Sequence, residues 1–193
     1  MHTPKILDRV LSKGFRVFNG GDYDLNIVGV RSADATPNTF NDKLHVCYTI
    51  RGLWHEKIYD ITTDAGLYWL RSGGLKGTAI LCHNKQYRGA YILGKHKGKY
   101  DALVQQGNKV DVWRDRNMDD LHDYGGEIDR GYFGINIHRA SAHKKSVQID
   151  QWSAGCQVFA DPDDFAEFID LCKMQVKYRK YAKFSYTLLF DGE

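Results

Sequence analysis

Two residues in this chain, His138 and Cys156, stand where short apolar runs end, and together they could do covalent chemistry. The run Tyr132-Phe133-Gly134-Ile135-Asn136-Ile137 reads as a strand that delivers His138. A second run begins near Val147 and passes through Trp152 into Ser153-Ala154-Gly155-Cys156, with a polar loop from Ala140 to Ser146 between the two. If the runs pair as strands, His138 and Cys156 come side by side. A thiol has an ordinary pKa of about 8.5, so it needs a neighbouring base or cation to act as a nucleophile at neutral pH. Gly155 frees the backbone to turn N–H groups inward, as an oxyanion hole requires. The competing reading is plainer: a cysteine in an apolar stretch packs as a small hydrophobe.

The order His…Ser-x-Gly-Cys resembles the L,D-transpeptidase (YkuD-type) family of peptidoglycan enzymes, on His138, Ser153, Gly155 and Cys156. Lys76-Gly77-Thr78-Ala79-Ile80 is similar to that family's Pro-x-Gly-Thr-Phe strand, and the whole chain looks like a divergent phage or prophage branch. Three positions depart from the pattern. Arg139 follows the histidine where relatives carry Gly, Ala154 replaces a second His, and Val158 stands where an Arg contacts substrate or oxyanion. The resemblance implies a β-sandwich or barrel-like catalytic domain acting on a stem peptide at an L,D bond next to diaminopimelate. It implies a thioester intermediate, and the phage-like character favours hydrolysis over cross-linking. His138 must be held in one tautomer, by the Arg139 carbonyl or the Ser153 hydroxyl.

Composition bounds these readings. A chain of 193 residues holds one domain, 1–193, with a substantial core. Aromatic content of 13% favours strands and sugar- or peptide-binding clefts, and a formal charge of +3 argues against a dedicated nucleic-acid binder. Charges interrupt residues 1–20, so no signal peptide or membrane span is expected. A chain made in the cytoplasm would then act at the wall only after export or lysis. The cysteines Cys47, Cys82, Cys156 and Cys172 are scattered without a Cys-x-x-Cys pair, which excludes a zinc ribbon or thioredoxin motif. Three of them sit in apolar surroundings and read as reduced core residues. Cys156 alone lies between Gly155 and the polar Gln157.

The elements that must position this pair follow in order. Thr3-Pro4 opens a short helix through Ile6, Leu7, Val10 and Leu11, with Gly14 at its exit and Thr3 as its cap. Strands are expected over 23–30, over 43–50 and 54–61 as a hairpin across Arg51-Gly52, over 78–82 and over 110–114. Gly66 to Leu70 would line a groove or join the core. Gly73 to Gly77 reads as a flexible loop and not a P-loop, because no Gly-Lys-Ser/Thr follows. The stretch from Tyr87 to Tyr100 reads as a basic loop, or as an anion subsite in which Arg88 or His96 replaces the missing arginine. Trp152 and Gln157, flanking the turn, are the other candidate substrate contacts. Asp115, Asn117, Asp119 and Asp123 match the first part of a calcium loop, a structural site at most, beside the reading as an acidic turn. No other cofactor is required. Asp161-Pro162 opens a longer helix with a buried stripe of Phe165, Phe168, Ile169, Cys172 and Val176, and a strand over 184–190 ends the chain.

The expected architecture is mainly β, with a short N-terminal helix and a longer one after Cys156. Papain-like and amidase families place Cys before His, the reverse of this order. The main non-enzyme alternative is an inactive module that grips cell-wall glycan through its aromatics.

Overall fold

The computed structural model describes residues 3–34, 36–72 and 76–192. In chain order the elements are α1 (Lys5–Ser12), β1 (Asn26–Arg31), β2 (Asp42–Ile50), β3 (Leu53–Thr62), α2 (Leu67–Leu70), β4 (Thr78–Leu81), β5 (Lys85–His96), β6 (Tyr100–Val104), β7 (Val110–Asp115), β8 (Asp129–Gly131), β9 (Ile137–Arg139), β10 (Gln157–Phe159), α3 (Pro162–Arg179) and β11 (Lys183–Phe190). The fold is mainly β, as expected. Strands close a barrel in the order β1-β11-β5-β6-β9-β10-β3-β2, and β4, β7 and β8 form a separate sheet. Among the described residues, no helix is long and apolar enough to cross a membrane.

Local signals account for several elements. The β2–β3 hairpin turns at Arg51 and Gly52, whose φ values of 50° and 76° suit a two-residue connection. β1 is buried along its whole length. Its Ile27 joins the barrel core, while Val28 and Val30 pack against Ile6, Leu7 and Val10 of α1. That helix is capped by Pro4, not Thr3, and Leu11 is exposed. At α3, the Asp161 side chain accepts a hydrogen bond from the Asp163 N–H, with Pro162 in the first turn. Phe165 and Phe168 of this helix pack on Phe159 at ring separations of 5.3 and 5.1 Å. Burying such rings contributes about 1.5–3 kcal/mol each. α3 therefore buttresses the strand that follows Cys156.

Three expectations are corrected. The stretch from Tyr87 to Tyr100 is a hairpin, not a loop: β5 and β6 pair through His96 and Tyr100, and Lys97 (φ 49°) and Gly98 (φ 72°) make the turn. Residues 132–136 are not a strand. The Gln105 side chain accepts from the Phe133 and Gly134 N–H groups, and Gly134 has φ +70°, which breaks the extended path. Residues 147–152 are not a strand either, because Asn38 accepts from the amides of Ile149 and Asp150 and draws the segment into a turn. Of the glycine-rich loop, Gly73, Gly74 and Leu75 lie outside the described residues.

Candidate active site

β9 and β10 pair in parallel, with Gln157 opposite Ile137, Val158 opposite His138 and Phe159 opposite Arg139. Side chains alternate along strands. Gln157 and Phe159 turn inward, to Tyr186 and to α3, so Val158 and His138 share the other face. Cys156 stands directly before β10, one alternation from Val158. Parallel pairing, not a hairpin, therefore puts the two candidate residues on one face, and His138 sits within its strand rather than at the end of one.

The cysteine turn is built by its neighbours. Ser153 Oγ donates to the Cys156 carbonyl (2.8 Å) and accepts from the Gly155 N–H (3.1 Å). Gly155 has φ +108°, and a Cβ there would lie 1.9 Å from the Ala79 carbonyl oxygen of β4. Only glycine fits this approach. The Gln157 N–H is taken by the Asn136 carbonyl (2.9 Å). The Gly155 N–H, expected to turn inward, is held by Ser153 Oγ in this structure. The Cys156 N–H, like those of Ser153 and Ala154, has no acceptor among the described residues.

Around the sulfur, the Asn136 N–H donates to Sγ (3.4 Å) and Sγ donates to the Gly134 carbonyl (3.5 Å). Asn136 was not singled out by sequence, yet it joins both sides of the site. Its Nδ2 donates to Nδ1 of His96 (3.2 Å), and its Oδ1 accepts from the Gln105 N–H (2.9 Å). The His96 ring stacks on the His138 ring at 4.0 Å. Nδ1 of His138 donates to the Arg139 carbonyl (2.8 Å), which fixes the proton there and leaves Nε2 as the basic nitrogen. Of the two orienting groups expected, the Arg139 carbonyl does this and Ser153 does not. The Tyr100 hydroxyl donates to the same carbonyl (3.2 Å), and the Arg139 guanidinium covers the Tyr100 ring at 4.2 Å.

Electrostatics set the resting protonation. Burial pushes the Cys156 thiol up to about 11, against opposing pulls from the Asn136 N–H and the Lys97 charge. Burial, reinforced by His96, lowers the His138 imidazole to about 3, and burial with Lys97 lowers His96 to about 4. Thiol and imidazole are both neutral at pH 7, and no hydrogen bond joins them among the described residues. The resting site is not an ion pair. Cys156 is nevertheless only partly buried, whereas Cys47, Cys82 and Cys172 are buried, and none of the four is bridged. Folded protein treated with an alkylating probe should therefore label at Cys156 and elsewhere only after unfolding. Because the thiol lies far above neutrality, the rate should rise about tenfold per pH unit from pH 7 to 9. Site-resolved mass spectrometry measures both; a plateau below pH 9 would mean a thiolate already stabilised in the resting protein.

A cleft of about 550 Å³ opens on the histidine side, lined by His96, Lys97, Tyr100, His138, Arg139 and Trp152 among others. Trp152 and His96 thus reach the candidate site. Two expected substrate contacts do not. Gln157 is fully buried and accepts from the Tyr186 hydroxyl (2.7 Å), because a polar side chain at an inward strand position finds its partner in the core. Arg88 lies on β5 and lines a different cleft. The acidic run closes on itself: Asp119 accepts from Asn117 Nδ2 and from the Leu121 N–H, and Asp115 accepts from the Asp123 N–H. Among the described residues, no three His, Cys, Asp or Glu side chains converge as a metal site would need. Compared with protein families, with characterised proteins and with solved structures, the chain finds no match.

Proposed function

We propose that this chain is a cysteine-dependent enzyme acting on peptidoglycan stem peptides, with Cys156 as nucleophile and His138 as general base, on an L,D-transpeptidase-like scaffold. The observation that carries the reading is the parallel register of β9 and β10, which puts a partly buried thiol and a tautomer-locked imidazole on one face. The substrate class rests on the resemblance of the His…Ser-x-Gly-Cys pattern.

Since both groups rest neutral, proton transfer must accompany attack. Nε2 of His138 takes the thiol proton as Sγ bonds to the peptide carbonyl carbon. The developing oxyanion points to the Cys156 N–H, a type of donor whose loss costs about 2.7–4 kcal/mol elsewhere. Collapse breaks the C–N bond, and the imidazolium returns its proton to the leaving amine. The thioester is then opened by water, with His138 again as base, which regenerates the thiol. An amine in place of water would give cross-linking; hydrolysis is the favoured course. Purified muropeptides incubated with the protein should lose a stem-peptide residue or linkage with uptake of one water, read by mass spectrometry. Exchange of the terminal residue for an added amino acid would assign transfer instead.

One observation favours a second reading. The Cys156 thiol is pushed up to about 11 and makes no hydrogen bond to His138, as an inactive wall-binding module would allow. Wall binding without turnover, unchanged in Cys156→Ala, would establish that reading.

A further inference from the structure

Away from Cys156, a cleft of about 570 Å³ is lined by Lys85, Arg88, Lys109 and Arg130, with Asp111 as its one carboxylate and Tyr132 also in its wall. These five charged residues sum to +3, as large as the formal excess of the entire chain. Asp111 is nearly buried and holds two of the cations in place, Lys85 through Oδ2 (2.5 Å) and Arg130 through Oδ1 (2.9 Å). Arg88 and Lys109 are exposed, and neither has an acidic partner within ion-pair distance among the described residues. One internal carboxylate thus fixes two cations from β5 and β8, while two further cations are left unneutralised beside them.

We propose that this cleft binds a ligand carrying two or more oxyanion charges, of the phosphate or carboxylate type. Guanidinium forks match both groups bidentately, and ammonium groups add point charge. Low-dielectric walls strengthen the field of clustered like charges, which a single monovalent anion would leave mostly uncompensated. The volume admits more than one oxyanion group. None of the cleft's lining residues lines the His138 cavity, so the site is independent of the catalytic reading.

The test is titration of the folded protein with inorganic tripolyphosphate, with citrate, and with acetate as the monovalent comparison. Backbone amide shifts are followed by NMR at low salt. Saturable shifts at Lys85, Arg88, Lys109 and Arg130 are expected with at least one of the two polyanions, at least tenfold tighter than with acetate; the tighter arm identifies phosphate or carboxylate. Affinity should fall with added sodium chloride. The double variant Arg88→Ala/Lys109→Ala, at two exposed positions, should keep its melting temperature and lose at least tenfold in affinity. Absence of saturation by both polyanions at 10 mM, roughly the top of a weak-binding range, would overturn the proposal. So would equal affinity in the double variant.

Discussion

Replacing His138 by glutamine is expected to slow cleavage of a muropeptide by about 10²–10⁴-fold in kcat, the range usual for loss of a positioned general base. Glutamine is neutral and can still donate to the Arg139 carbonyl, which accepts from His138 Nδ1 in the native chain. What it cannot supply is the basic Nε2. The melting temperature should therefore move by only a few degrees while turnover collapses. Tyr100→Phe gives the scale for a merely supporting contact, because the Tyr100 hydroxyl donates to the same carbonyl and leaves the imidazole in place. Its loss should be under about tenfold, in line with one neutral hydrogen bond of about 1 kcal/mol. Equal losses in the two variants would remove His138 from the chemistry.

The second large effect is expected at Gly155, where alanine meets two penalties at once. The residue sits at φ +108°, and the new Cβ would fall 1.9 Å from the Ala79 carbonyl oxygen. Backbone strain and overpacking each cost about 1–3 kcal/mol, so Gly155→Ala should destabilise the fold by on the order of 3–5 kcal/mol. In a chain of this size that is roughly a 10 °C fall in melting temperature. Gly52→Ala is the matched control: φ is +76°, but no atom lies within 4 Å of the added methyl. It should cost about 1–2 kcal/mol, from strain alone. If thermal denaturation shows the two variants equally affected, the cysteine turn is not wedged against β4 as described.

The sequence revealed those parts of the site that local chemistry determines. Asp161-Pro162 starts α3 and Arg51-Gly52 turns the β2–β3 hairpin because caps and turns act over a few residues. Cys156 stood apart from Cys47, Cys82 and Cys172 because apolar neighbours bury a thiol and a glycine turn leaves it only partly buried. What could not be read was set by side chains far away in sequence. Gln105 takes the amides of Phe133 and Gly134 out of any strand, and Asn38 does the same to Ile149 and Asp150. Asn136 had no motif to mark it, since its role comes from four partners that only the fold assembles: Cys156, His96, Gln105 and Gln157. Gln157 misled for a related reason. Polarity suggests exposure, but the Tyr186 hydroxyl waits for it inside the barrel.

Arg139 acts on the imidazole through its backbone and not its side chain. The backbone carbonyl that fixes the imidazole is available from any residue at this position. The arginine side chain lies over the Tyr100 ring, whose neighbours include the His96 ring at 5.5 Å. β10 consists of Gln157, Val158 and Phe159, all fully buried, and so carries no cation to the site. Lys97, at the turn of the β5–β6 hairpin, is the cation whose field reaches both Cys156 and His138.

The most direct trial of the whole account is to trap the covalent intermediate. Protein mixed with excess muropeptide is quenched in acid within the first turnovers, and its mass is read intact and after proteolysis. The account predicts an acyl adduct on the peptide containing Cys156, absent from Cys156→Ala and cleared by hydroxylamine as a thioester should be. Turnover that persists in Cys156→Ala, or an adduct on any other residue, would contradict it.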